Sequence, residues 1–218
     1  MSGQTLSPKQ IGIGMRISVH PHSNDFERII LDALKETHRI LQLDEPDTGI
    51  EIATGEVSTY VGVKSGDAAP QLAAYAATLI HSATLDSDGQ HLTSHLLLSR
   101  GCPGEATCQL VPGRIPAEKD VHLAKSGVIV AAAWSLYPLA DDGSSHMEPI
   151  MAAVDEAKAS GLTVTSEHYA TILRGDLSDV LSVIFDAWST VGQEVPHVVS
   201  HVSISINSPS VHNGAGAA

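Results

Sequence analysis

Apolar and polar residues alternate near the start of the chain. Ile11, Ile13, Met15, Ile17 and Val19 are separated by Gly12, Gly14, Arg16 and Ser18. A two-residue period puts one set of side chains on each face, so this stretch predicts a half-buried strand. The period then lengthens. Phe26, Ile29, Ile30, Ala33 and Leu34 form the stripe of an amphipathic helix, and Asn24 with Glu27 three residues on is a capping pair. Gly49 to Thr54 and Val57 to Val63 predict a hairpin with Gly55 near the turn. Asp67 is placed to cap a second helix striped by Leu72, Ala76, Leu79 and Ile80, and Leu92 to Ser99 closes the unit as a strand.

The same order recurs. Val128 to Leu136 predicts a strand, and Ser145 with Glu148 a capping box for a helix that turns Met147, Ile150, Met151 and Val154 inward. A hairpin falls around Thr163 to Arg174. Leu177, Val180, Leu181, Ile184, Phe185 and Trp188 form a helical stripe, and Val198 to Ile206 is the last strand. Residues also match between the halves. Ile17-Ser18-Val19-His20-Pro21 parallels Trp134-Ser135-Leu136-Tyr137-Pro138. Thr59-Tyr60-Val61 parallels Thr171-Ile172-Leu173, and His91-Leu92-Thr93-Ser94-His95 parallels His197-Val198-Val199-Ser200-His201. The offset falls from 117 to 106 along the chain, as loop insertions and deletions in two diverged copies would produce. The fold class is therefore α+β: tandem βαββαβ repeats of the ferredoxin-like type, antiparallel sheets with helices on one face. The first repeat spans residues 11–104, a linker 105–124 and the second repeat 125–211. Pro112, Gly113 and Pro116 mark the linker, and Gly214 to Ala218 reads as a disordered tail.

Helices cover only one face of such a sheet, and the other face needs a second copy, a second chain or a ligand. If Ile17, Val19, Trp134 and Leu136 face the helices, then Ser18, His20, Ser135 and Tyr137 face away. Val57, Val61 and Val63 then point inward, leaving Glu56, Ser58 and Tyr60 outward, and His91, His95, His197 and His201 share the outward face. A surface rich in hydroxyl, carboxylate and imidazole groups suits a polar pocket for a small hydrogen-bonding ligand. It equally suits a hydrated interface between sheets.

Charge and composition narrow the partners. Twelve Lys+Arg against 25 Asp+Glu leave a net charge of −13, which argues against nucleic acid and anionic membrane surfaces, since both need a basic footprint. The longest apolar run, about Gly127 to Leu136, is far short of the roughly 20 residues of a membrane helix. Met1 to Gln10 has no apolar signal segment, so the expected location is the cytoplasm. Cys102 and Cys108 match neither a disulfide framework nor a redox CxxC, and read as free thiols near a loop. The 12 histidines invite a metal reading. Both HxxxH motifs lie on strands, however, where four residues span about 13 Å, and one metal with ligands at about 2.1 Å cannot take both imidazoles. No GxSxG, P-loop or dinucleotide fingerprint is present; Gly12-x-Gly14 sits inside a strand, and Asp141-Asp142 reads as a loop before a helix.

Several segments carry a family resemblance. Ser135-Leu136-Tyr137-Pro138, the run Ile150 to Lys158, His168-Tyr169-Ala170-Thr171-Ile172-Leu173-Arg174-Gly175-Asp176, Asp179-Val180 and Asn207-Ser208-Pro209-Ser210 resemble the YkoF family, as does Gly101-Cys102-Pro103-Gly104. The resemblance runs from about Gly12 to Ser210. It implies tandem ferredoxin-like (ACT-like) repeats, a homodimer, and a site in each repeat that grips mainly the pyrimidine of thiamin or its hydroxymethylpyrimidine (HMP) moiety. It implies no catalysis and no cofactor, and a link to uptake or salvage of thiamin or its precursors, including a precursor transporter. Carried over position by position, it implies ligand contacts from Ser135, Tyr137, His168, Tyr169 and Thr171 in the second repeat and from Ser18, Ser58 and Thr59 in the first. His20 stands where the family has Tyr, and Gly55-Glu56 where it has an Asp-His pair.

Chemistry agrees with this list. An aminopyrimidine needs paired donors and acceptors, its ring can stack on Tyr137 or Tyr169, and a cationic thiazolium would be drawn to Glu56 or Glu167. The alternatives are an ACT-like regulatory module that senses another small metabolite, which calls for a fused or partner enzyme, and a purely structural dimer.

Overall fold

The computed structural model describes residues 6–101, 120–139 and 147–212. Ser145, Asp141, Asp142, Cys102, Cys108, Pro112, Gly113, Pro116 and the tail from Gly214 lie outside these residues. After a short helix α1 (Pro8–Ile11), the first repeat runs β1 (Gly14–Pro21), α2 (Phe26–Ile40), β2 (Ile50–Thr54), β3 (Thr59–Val63), α3 (Ala68–Asp86) and β4 (Leu92–Arg100). The second runs β5 (Ile129–Leu139), α4 (Met147–Ala159), β6 (Thr163–Glu167), β7 (Ala170–Asp176), α5 (Leu177–Glu194) and β8 (His197–Ile206), followed by a last turn of helix α6 (Pro209–His212). No helix among the described residues is long and apolar enough to cross a membrane.

Each repeat is βαββαβ, and the two join edge to edge. The eight strands form one antiparallel sheet in the order β2-β3-β1-β4-β8-β5-β7-β6. The seam is β4–β8, paired from Leu92–Ile206 to Arg100–Val198. Register shows how closely the copies correspond. Ile17 pairs with Thr59 as Trp134 pairs with Thr171, and Ser18 pairs with His95 as Ser135 pairs with His201. Since His95 corresponds to His201, Leu96 corresponds to Val202, and these two residues face each other across the seam. A local two-fold axis therefore passes between them.

All four long helices lie on one face. α2 packs on α3, α3 on α5 and α5 on α4. The helical side of the sheet is one continuous core: Ile17, Val19, Val61, Leu92, Leu96 and Leu98 join Trp134, Val202, Ile204 and the α5 stripe from Leu177 to Trp188. Two buried serines brace the first strands. Ser94 Oγ donates to the Ser18 carbonyl at 2.8 Å, and its counterpart Ser200 to the Ser135 carbonyl at 3.4 Å. The second repeat is also tied at its start. Asp176, the N-cap of α5, accepts hydrogen bonds from Ser126 and Gly127 as well as Ser178.

Local details depart from the periodicity. Ile11 ends α1, whose capping box is Ser7 with Gln10, and Gly12 takes the left-handed conformation (φ 71°), so β1 begins at Gly14. The residue before α2 is Asp25, without a side-chain cap, and the Asn24–Glu27 capping pair does not form. Phe26 is exposed because it opens α2 ahead of the first turn that meets the sheet. Val57 lies in the β2–β3 turn, outside the ladder, and is 85% exposed instead of inward.

Leu96 sits on the local two-fold axis and is 1% exposed. Leu96→Ala should cost about 2–5 kcal/mol. Because both repeats share one core, urea denaturation should remain a single transition with a lower midpoint; two resolved transitions would show that the repeats fold independently.

Candidate ligand site

The alternation of β5 and the course of α4 build a cavity. It has a volume of about 510 Å³ and lies between α4 and the β5–β7–β6 end of the sheet. Trp134 and Leu136 supply its floor from β5. Thr171 stands beside Trp134 on β7, and Ser166 beside Thr171 on β6, all on the helical side. Ile150, Met151 and Val154 of α4 form the apolar wall, with Met147 and Lys158 at its ends. Trp134 is locked in place: its indole Nε1 donates to Ser200 Oγ at 2.9 Å. The Ser166 and Thr171 hydroxyls have no hydrogen-bond partner among the described residues, although both border the cavity. A flat apolar floor and two free hydroxyls suit a planar heterocycle that has ring acceptors or an amino group.

The β6–β7 hairpin borders the cavity as well. Ser135 Oγ donates to the Tyr169 carbonyl at 2.9 Å, which ties the hairpin to β5. Tyr169 adopts φ 65°, unusual for a residue with a large side chain, and its ring is 99% exposed. An aromatic ring held in solvent by a strained backbone has no packing purpose.

The structure thus gathers Ser135, Tyr137, Glu167, Tyr169 and Thr171 around one cavity. His168 stands at the hairpin turn, its ring 6.3 Å from that of Tyr169. The cavity lies on the helical side, whereas strand alternation pointed to the opposite face. The reason is α4. Met147 and Met151, predicted to turn inward, are 59% and 47% exposed, while Val154 is buried as predicted and also borders the cavity. Met147, Ile150, Met151, Val154, Lys158 and Ser166 escape a periodicity analysis because a cavity wall and a core stripe have the same spacing. One signal was available: two methionines four residues apart on one helix.

The first-repeat candidates are not gathered in this way. Glu56 is exposed and Ser58 half-buried in the β2–β3 turn, where Arg16 donates to Ser58 Oγ at 3.2 Å. Thr59 is buried on the helical side. Ser18 and His20 lie on the open face, 2.9 Å apart through Oγ and Nε2.

There they belong to a group of four histidines. The rings of His20 and His95 are 5.5 Å apart, and those of His22 and His91 are 4.3 Å apart. His95 and His91 each contact a serine of β8, Ser203 and Ser205, at 3.0 Å. Among the described residues no three His, Cys, Asp or Glu side chains are placed to hold a metal ion. Burial, then His95 and His22, hold His20 below the ordinary imidazole value; burial and then His22 do the same for His91.

Three comparisons place the chain among known proteins. A model of the YKOF-related family matches residues 129–211. YkoF of Bacillus subtilis (strain 168), named as an HMP/thiamine-binding protein, is 33% identical over 205 residues, 92% of each chain. Among solved structures, protein MJ1052 of Methanocaldococcus jannascii aligns with a TM-score of 0.35 at 29% identity, over 40% of this chain and 94% of its own. A Thermotoga maritima protein, TM0486, described with thiamine biosynthesis or salvage, aligns with a TM-score of 0.35 at 14% identity, over 40% and 97%. Fold and cavity define a tandem ferredoxin-like protein with a small-molecule-sized pocket between helix and sheet. The chain belongs to the YkoF family.

The histidine group makes stability depend on pH. The unfolded chain takes up protons near the ordinary value of 6.5, while folded His20 and His91 resist until lower pH. Acid therefore favours unfolding, and stability falls from about that point down to the folded values. His20→Tyr, which installs the residue found at the matching position of the second repeat, should shrink the drop in melting temperature between about pH 7.5 and pH 5.5. An undiminished drop would assign the acid sensitivity elsewhere.

Proposed function

We propose that this protein binds thiamin or its hydroxymethylpyrimidine moiety in the second-repeat cavity, without catalysis. The observation that carries the reading is the pair of unpartnered hydroxyls, Ser166 and Thr171, beside the fixed Trp134 ring. Both hydroxyls can turn to a ligand without giving up a bond within the protein. The pyrimidine lies on Trp134 between the α4 side chains, with its ring nitrogens and amino group on Ser166 and Thr171. The cationic thiazolium extends toward Glu167 and the Tyr169 ring, and His168, Ser135 and Tyr137 complete the rim. The relationship to YkoF of B. subtilis, named for HMP and thiamine binding, supports the same ligand class. The proposal extends to a cytoplasmic role in uptake or salvage, handling the vitamin or its precursor alongside a transporter.

The protein acts as a homodimer in this reading, with a second copy covering the open sheet face. The chain carries 25 acidic residues, yet the four central strands β1, β4, β8 and β5 contain none. On this broad surface two strongly acidic copies can meet without repulsion between carboxylates.

Titration calorimetry with thiamin and with HMP decides the ligand: saturable heat supports the reading, and no heat at millimolar ligand ends it. Sedimentation decides the dimer. Tyr169→Gly separates binding from folding. Relief of the positive φ should leave the melting temperature unchanged or raised. Loss of the ring should weaken thiamin binding about three- to tenfold, the range of one aromatic contact. Unchanged affinity would remove Tyr169 from the site.

A further inference from the structure

The connection from α2 to β2 is nine residues long, 41–49, whereas its counterpart from α4 to β6 is three, 160–162. The longer segment is tied down at both ends. Leu43 N donates to the His38 carbonyl at 3.0 Å, and the His38 ring meets Asp44 at 3.1 Å. At the other end, the Gly49 carbonyl accepts from Lys64 N at 2.7 Å and Ser65 N at 3.3 Å. Held in this way, the segment encloses a cavity of about 520 Å³ against α3. The cavity lies at the start of β2, the opposite end of that strand from the β2–β3 turn. The three-residue connection of the second repeat is too short to enclose such a space.

Its walls fit one kind of molecule. Leu41, Leu43, Ile50 and Ala74 give it an apolar lining. The two half-buried polar side chains on the wall, Gln71 and Thr48, spend their donors inside the protein. Gln71 Nε2 donates to the Ser65 and Asp67 carbonyls at 2.8 and 2.9 Å, and Thr48 Oγ1 donates to the Ile50 carbonyl at 3.1 Å. Gln71 Oε1 is left as an acceptor. It lies against Gly49, where any side chain would collide with it. Glu45 and Asp47 stand exposed on the rim, and neither has an ion-pair partner among the described residues. No Lys, Arg or His lines the cavity. An apolar interior, an amide acceptor and two unpaired carboxylates are complementary to a cation that carries N–H donors on an apolar body.

We propose that this cavity binds a small organic ammonium ion, a primary amine carried on an aliphatic or aromatic body. The body packs on Leu41, Leu43, Ile50 and Ala74, and its burial supplies the attraction. The ammonium group has three hydrogens to give, one to Gln71 Oε1 and the others to the carboxylates of Glu45 and Asp47. The net charge of −13 draws such a cation toward the protein. A thiazolium does not meet the same demand, because its quaternary nitrogen has no hydrogen to donate. The site is therefore separate from the second-repeat cavity in both place and chemistry, and it stands or falls independently of the ligand bound there.

Amide chemical shifts of the full-length chain, titrated with 2-phenylethylammonium as probe, test it. Saturable shifts are expected on Leu43, Thr48, Gly49 and Gln71. The neutral analogue 2-phenylethanol should bind at least about threefold more weakly, and added salt should weaken the ammonium but not the alcohol. Glu45→Gln with Asp47→Asn should weaken the probe about three- to tenfold, the range of two exposed charge contacts. Ala74→Leu fills the cavity from α3 without removing a hydrogen bond, and should abolish the shifts while the melting temperature holds. An excess of thiamin should not displace the probe. Equal binding of the alcohol, undiminished binding by the carboxylate variant, shifts confined to other residues, or displacement by thiamin would each overturn the assignment. Because the comparison of amine with alcohol uses the unaltered chain, the test survives a variant that folds poorly. Tighter binding of a lysine-containing peptide than of the probe would give the site to a protein partner and overturn the small-molecule assignment.

Discussion

The pairing of β4 with β8 is the constraint on which this molecule depends. Each repeat alone is a four-stranded sheet with a bare edge, and a bare edge is a liability. Joining the two edges turns two small half-cores into one continuous apolar layer under α3 and α5, with Leu96 and Val202 at its centre. The seam also fixes the geography. The β2–β3 and β6–β7 hairpins are sent to opposite ends of the sheet, where α2 and α4 cover it, and none of the four long helices lies on the other face. The buried serines Ser94 and Ser200 repeat the same brace on either side of the axis, so the backbones of β1 and β5 are held alike even where their side chains differ.

On that matched scaffold the copies have drifted in chemistry. Trp134 replaces Ile17 and gives Ser200 a second partner, which orients the indole as a platform. Tyr137 stands where His20 stands, so the imidazole group on the open face belongs to the first repeat, while the cavity under α4 belongs to the second. The small differences on α2 and α4 matter most. Aligned helices of similar apolar spacing either pack onto the core, as Ile30 and Leu34 do, or line a cavity, as Ile150 and Val154 do. Packing is close to all-or-none, so a modest change in which side chains reach the core separates a filled interior from a pocket.

Much of this was legible in the chain. The two-residue period of β1 and β5, the helical stripe from Leu177 to Trp188 and the paired motifs around Ser18 and Ser135 are local patterns, and local patterns follow from the geometry of strands and helices. They determine the βαββαβ order, its duplication, and which face of β1, β4, β5 and β8 meets the helices. Resemblance in the second repeat pointed further, to the family and to Ser135, Tyr137, Tyr169 and Thr171.

Three matters were decided only in three dimensions. Joining of the sheets through β4 and β8 depends on edge-to-edge contact between strands about a hundred residues apart, and alternation within a strand is silent about its neighbour. The cavity on the helical side depends on how far α4 stands from the sheet; Met147, Met151 and Val154 have the spacing of a core stripe whether or not the core reaches them. The contrast between Thr54 and Thr59, whose hydroxyls bond to each other, and Ser166 and Thr171, whose hydroxyls do not, depends on whether two hydroxyls find each other, a matter of tenths of an ångström that residue type does not encode. The sequence by itself therefore determined the elements, their repetition and their faces, because these follow from neighbours along the chain. Tertiary structure alone decided the joined sheet, the open pocket and the free hydroxyls, because each is a distance between parts of the chain that only folding brings together.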